Sequence, residues 1–180
     1  MNLRQIAFTL DQDSIEDAIG KVEEFIQDLY EAMDALAQKL AKEYGPDTVR
    51  MYIAQMDAVD TGQLLGSVHG FYSTSSREGY VFVGNGTPYA VYVEYGTGII
   101  GKAMPHPQAS DIGWEYDVNN HGTEGWVYHK RKPGWTNDDK GSFGWTVGYE
   151  ARPFMYETFV TLEGIAEREG PQFVYQRLRK

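Results

Sequence analysis

Eight apolar residues, Ile15, Ile19, Val22, Ile26, Leu29, Met33, Leu36 and Leu40, follow one another at steps of four and three without a break. That spacing keeps one side of an α-helix apolar and is the heptad pattern of helices that pack on other helices. Asp13 with Glu16 three residues on reads as a capping box at the N-terminus. Gly45-Pro46 reads as a stop. The expected helix covers 13–44. About 30 residues at ~1.5 Å each make a rod of roughly 45 Å. A compact domain of this length has a radius of gyration of only about 16 Å. Such a helix either overhangs the sheet it crosses or lays part of its length on another subunit, and the two are compatible.

The chain of 180 residues reads as a single domain, 1–180. Its formal net charge is −10, which argues against tight binding to phosphate backbones, since that needs clustered Lys and Arg. There is no cysteine, so disulfides and thiolate metal sites are excluded and a reducing compartment is expected. No apolar run approaches the ~18 residues that would suggest a membrane span. Met1 to Leu10 lacks the form of a signal peptide.

Residues 47–98 are expected to hold core strands and short helices. Asp47 to Met56 sets Val49, Met51 and Ile53 against Arg50, Tyr52 and Ala54, the alternation of a strand. Asp60 or Thr61, before Gly62, can cap a short helix carrying Leu64, Leu65 and Val68. Val68 to Ser73 and Gly79 to Gly84 form a hairpin around a turn-rich link. Tyr89 to Gly98 is the densest local signal, with tyrosines and valines around the carboxylate of Glu94. Its spacing favours a short helix, although Val91 and Val93 alternate as in a strand. Gly96 and Gly98 permit an abrupt exit on either side of Thr97.

Residues 99–150 have a different texture and read as an extended hairpin or loop inserted before the last helix. Each tryptophan here, Trp114, Trp126, Trp135 and Trp145, follows a glycine. Their steps of 12, 9 and 10 are too irregular for a repeat array. The reading preferred is that they cover a thin insertion and make interface contacts; the alternative is a cell-wall or carbohydrate-binding module. His106 between two prolines reads as a rigid loop residue, and His106, His121 and His129 lack metal-ligand spacing. Residues 151–180 are expected to form a helix opened by Pro153, with Phe154 and Met155 at its start. It should end near Glu169, with Gly170-Pro171 as its break and a short arm beyond. The fold class is α+β, a long N-terminal helix on a small antiparallel sheet with a C-terminal helix.

No nucleophile elbow, phosphate loop or His-Glu-x-x-His motif is present. Glu94 is either a buried general acid or a structural carboxylate held by amides or an arginine, and no second acid or base can be named beside it. No catalytic residue, metal or cofactor is therefore expected, nor an enzyme.

Three segments occur in one order: Asp60, Thr61, Gly62, Leu64 and Ser67; then Tyr89, Ala90, Val93, Glu94, Tyr95, Gly96 and Thr97; then Pro153, Phe154 and Met155. Together they resemble the head–tail joining or neck proteins of tailed phages. These are also called tail-completion or minor tail proteins, and are related to gene product ten of lambdoid phages. Asp57-Ala58-Val59 departs from the pattern, since many relatives carry a proline near there. The resemblance implies an α+β virion protein without enzymatic activity. It implies a homo-oligomeric ring, six-fold or twelve-fold, at the head–tail junction, between head-side connector proteins and tail tube or terminator proteins. DNA would pass through without sequence-specific binding, and an acidic wall would not hold phosphates. The implied location is the virion, and the host cytoplasm during assembly, with no membrane. Glu94 with Gly96 and Thr97 would fix the turn that launches the insertion. Asp60 to Gly62 would cap the helix beside it. Ile15 to Leu40, Trp114 and Trp126 would make contacts between subunits or with the tail.

Overall fold

The computed structural model describes residues 9–59, 62–84, 86–117, 120–121, 124–129 and 143–179. The architecture is α+β, as expected: a long N-terminal helical rod, a small antiparallel sheet and a C-terminal helix.

The rod starts one residue earlier and ends much later than the sequence signals suggest. Helix α1, Gln12–Lys39, is capped by Asp11, whose carboxylate accepts the Ser14 amide at 2.9 Å, and not by Asp13. A single π-turn, Leu40–Tyr44, leads without interruption into α2, Gly45–Gln55. Gly45-Pro46 therefore does not stop the helix. The π-turn shifts the hydrogen-bond register so that the Gly45 amide reaches the Leu40 carbonyl. Pro46 then falls where the π-turn passes into α2, at the step where the hydrogen-bond register changes. Residues 47–56 are accordingly not a strand. Val49 and Ile53, one turn apart, are fully buried, while Met51 is 41% exposed. Val49 and Ile53 lie on one side of the helix and Met51 on the other, so the alternation read in sequence did not mark a single face.

The π-turn is also the bed of the sheet. Strand β1, His69–Ser73, pairs antiparallel with β2, Glu78–Phe82, with Phe71 opposite Tyr80. Gly70, Tyr72, Gly79 and Val81 face the rod. A Cβ on Gly70 would run into the Ala41 carbonyl and come within 2.7 Å of Pro46 Cγ, so only glycine lets the strand lie this close. The opposite face carries Phe71, Tyr80 and Phe82, whose rings stack at 6.5 and 5.8 Å and lie in the open.

Helix α3, Gln63–Gly66, and helix α4, Ala90–Tyr95, close the core from the other side. Val49, Ile53, Ala58, Leu64, Val68, Ala90 and Phe154 form one buried cluster. The last helix, here α6, Phe154–Leu178, runs antiparallel to the rod: Tyr52 meets Thr161 at 2.9 Å, and Gly170 sits over Leu36. It continues through Gly170-Pro171, where the sequence predicts a break. A proline inside a helix costs roughly 3 kcal/mol. Here the second half is held on the rod by the buried Gly170 and by Phe173, whose ring lies 5.6 Å from Lys39 Nζ.

The insertion contains helix α5, Gly98–Ala103, which the sequence did not announce. It also contains the anticipated pairing, β3, Trp126–His129, with β4, Phe143–Thr146, followed by the short strand β5, Gly148–Tyr149. Trp135 lies outside the described residues.

One part of the rod is largely exposed. From Gln12 to Gln27 every residue is exposed except Ser14, Ala18 and Gly20. Contacts with the hairpin begin at Tyr30 and Asp34, both engaged by Arg77. The N-terminal arm is thus ~24 Å of helix at 1.5 Å per residue. It carries Ile15, Ile19, Val22, Phe25 and Ile26 at 37–54% exposure. Among the described residues no helix is long and apolar enough to cross a membrane.

Candidate functional site

Helix α4 spans little more than one turn, with Ala90 and Glu94 on its buried side. Glu94 is 6% exposed, and it reaches across to the N-terminus of α6. One carboxylate oxygen accepts the Met155 amide at 3.0 Å, and the other accepts the Tyr156 amide at 3.1 Å. First-turn amides have no partner within their own helix. The residue at the cap position of α6 is Pro153, which has no side-chain acceptor. Glu94 therefore caps α6 from a different element, and the positive end of the helix dipole favours its charge.

A third donor comes from the insertion. His106 Nε2 lies 3.0 Å from the same Glu94 oxygen that binds Tyr156. His106 Nδ1 accepts the Gln108 amide at 3.0 Å, so the proton sits on Nε2 and is donated to Glu94. The imidazole is buried, with the Tyr95 ring 4.1 Å away and Tyr156 edge-on at 5.5 Å. Burial pushes the Glu94 carboxyl above the usual carboxylate range, and the two amides and His106 pull against it. Both oxygens of Glu94 and both nitrogens of His106 are engaged within the fold.

Around this pair the chain is locked at both ends of the insertion. Trp114 Nε1 donates to the Gly96 carbonyl at 3.2 Å, and its ring packs on Tyr95 and Tyr92. Gly96 has φ 76°, and a Cβ there would stand 2.6 Å from the Ala151 nitrogen. Thr97 bridges to Tyr149, and Gly98 to Gly148. A groove of about 510 Å³ opens over Glu94, walled by Val83, Val91, Phe154, Met155 and Phe159.

Of the other residues singled out in sequence, Pro153 and Phe154 stand at the helix end that Glu94 caps, and Phe154 lines the groove over it. Asp60 and Thr61 are outside the described residues. Gly62 holds the cap position of α3 with φ 78°. Ser67, from the same segment, donates to the Leu64 carbonyl at 2.7 Å and accepts the Gly84 amide at 3.1 Å. It braces the loop that delivers α4. Tyr89 is half-exposed at the start of α4. Trp126 stacks on His121 at 4.9 Å. Pro153 caps α6 without forming its first turn, and Phe154 is a core residue 1% exposed.

Sequence reasoning missed His106 as the partner of Glu94. A histidine pinned between Pro105 and Pro107 was the available signal, but nothing local ties it to a carboxylate on another element. Comparisons of the chain with protein-family profiles, with curated proteins and with solved structures find no match.

Proposed function

We propose that this chain is a structural subunit of a tailed-phage or prophage virion, one member of a homo-oligomeric ring at the head–tail junction through which DNA passes. The observation that carries the reading is the exposed arm of α1. Its apolar stripe keeps heptad spacing, yet Ile15, Ile19, Val22 and Ile26 stand 38–54% exposed, and none of them belongs to the buried cluster formed by the described residues. A helix of this kind is built for a partner. The saturated Glu94–His106 pair adds to it, because a pair with every donor and acceptor engaged suits a brace better than acid–base turnover. The net charge of −10 suits a channel wall that does not hold phosphates. Neighbours in the assembly would be head-side connector proteins and the tail tube or its terminator, with six or twelve copies in the ring.

The test is electron microscopy of the purified protein, alone and with tail tubes of the phage or prophage that encodes it. Rings of roughly 20–30 Å bore, wide enough for a duplex, or caps at one end of the tubes support the reading. Monomers that ignore the tubes overturn it. Trp145, 61% exposed on β4, keeps carbohydrate binding as the second reading, and a glycan panel decides that question.

A further inference from the structure

We infer that the α1 arm of one copy lies across the outer face of the β1–β2 hairpin of the next copy, so that each subunit gives one arm and receives another. The inference rests on the ring reading and names the contact that would close it.

Two of the apolar surfaces that the described residues leave open differ in shape and charge. One is the stripe Ile15, Ile19, Val22 and Ile26, and the other is Phe71, Tyr80 and Phe82, exposed by 52, 41 and 50%. They cannot cover each other within one molecule. The inner face of the hairpin lies on the π-turn, and its tip is tied at Arg77 to Tyr30 and Asp34, near the root of the arm. Its aromatic face points away from the rod. Isolated two-stranded sheets are marginal in water, and this one has a helix on one side only. A second helix on the aromatic side completes a helix–sheet–helix stack. Because the two surfaces differ, the contact is head-to-tail, the kind that generates rings.

Charge argues against two arms covering each other. Between Asp11 and Gln27 stand six carboxylates and one lysine, with Glu16 and Glu23 directly beside the stripe. Two arms laid together would set these groups against each other at short range. The outer face of the hairpin presents only Glu78 among its carboxylates, hydrogen-bonded by the Tyr80 hydroxyl, and His69 at the far end. The arm of a second copy meets little repulsion there.

The size of the contact predicts how it behaves. An arm ~24 Å long and ~10–12 Å wide covers on the order of 300 Å² per partner, well under the ~800 Å² of a stable pair. A single contact of this size does not hold a dimer. In a closed ring every subunit holds two such contacts, and none opens without its neighbours. Dilute protein is therefore expected to be monomeric, with assembly on a template or at high concentration.

The chain has no cysteine, so single thiols can be placed at will. Val22→Cys and Phe82→Cys both sit at exposed positions, and a thermal melt confirms that each variant folds. The two singles, their mixture and the double variant are treated with a short bifunctional maleimide, concentrated in solution and on tail tubes. The expected result is a heterodimer from the mixture, a ladder ending at the ring's subunit number from the double variant, and little product from either single. Ile19→Cys with Phe71→Cys repeats the test in a second register. If Val22→Cys alone couples as fast as the mixture, the arms pair with each other and the inference is wrong. If microscopy shows rings and neither pair couples, the ring stands and this contact is overturned. If no association of any kind is seen, the ring reading itself falls and the inference falls with it.

Discussion

The carboxylate of Glu94 closes the N-terminus of a helix 61 residues further along the chain, by accepting the Met155 amide at 3.0 Å. With Tyr156 and His106 as further donors, Glu94 joins α4, the insertion and α6 at one point. Removing it leaves buried N–H groups unpaired, each worth about 1–3 kcal/mol. Glu94→Ala is expected to lower stability by about 2–6 kcal/mol, the cost of leaving the two amides without an acceptor. Glu94→Gln should cost less, because one oxygen still accepts while the new NH₂ faces a donor. Urea denaturation of the three proteins checks the order. An alanine variant within 1 kcal/mol of the parent would remove the bracing role.

The same carboxyl sets a pH dependence. Burial raises Glu94 in the folded chain above its ordinary value of 4.5. A carboxyl raised on folding binds its proton more tightly in the folded state. Its contribution is therefore fully present below the unfolded value and is lost as pH climbs through the folded one. Glu94→Gln does not titrate, and His106 is present in both proteins, so their difference largely isolates the carboxyl. The stability of the parent relative to Glu94→Gln is expected to shrink as pH rises from about 4.5 toward neutrality. Denaturant midpoints for the two proteins at stepped pH give this slope. A difference that grows with pH would mean that the three donors outweigh burial.

Gly70 tests the bed of the sheet. A methyl group there meets the Ala41 carbonyl, which is backbone and cannot swing aside. Gly70→Ala is expected to cost about 1–3 kcal/mol by overpacking. Hydrogen exchange should quicken first in Phe71, Tyr80 and their neighbours along β1 and β2, where the hairpin lifts from the π-turn.

These residues show what the sequence could and could not reveal. Glu94 was legible as a buried carboxylate needing a partner, because apolar residues surround it locally. Its partners were not, since Met155, Tyr156 and His106 reach it only through the fold. Gly45-Pro46 and Gly170-Pro171 are helix breakers by local preference. Both lie inside helices, because Gly45 packs under Val81 and Gly170 over Leu36, and tertiary contact outweighed propensity. The hairpin of β1 and β2 was legible because its strands and turn are contiguous. Helix α5 was not, since Gly98-Ile99-Ile100-Gly101 carries no helical signal and is held by a bridge to Gly148 and by the Tyr116 carbonyl.

The stripe on α1 was the plainest feature of the sequence, yet it is not the buried face of the arm, and this yields the last prediction. A core residue changed to a charge unfolds a protein; a residue reserved for a partner does not. Ile19 is 54% exposed and Ile26 is 44% exposed, so Ile19→Asp and Ile26→Asp each leave a side chain in water. Loss of helix propensity costs no more than ~0.7 kcal/mol per site. The midpoint of urea unfolding should therefore shift little. Association should instead be lost, because an aspartate carried into an apolar contact must be desolvated without a counter-charge. Light scattering at rising concentration, with and without tail tubes, separates the two effects. Variants that unfold early would return the stripe to the core of its own subunit. Variants that associate like the parent would show that the arm is not the joining surface.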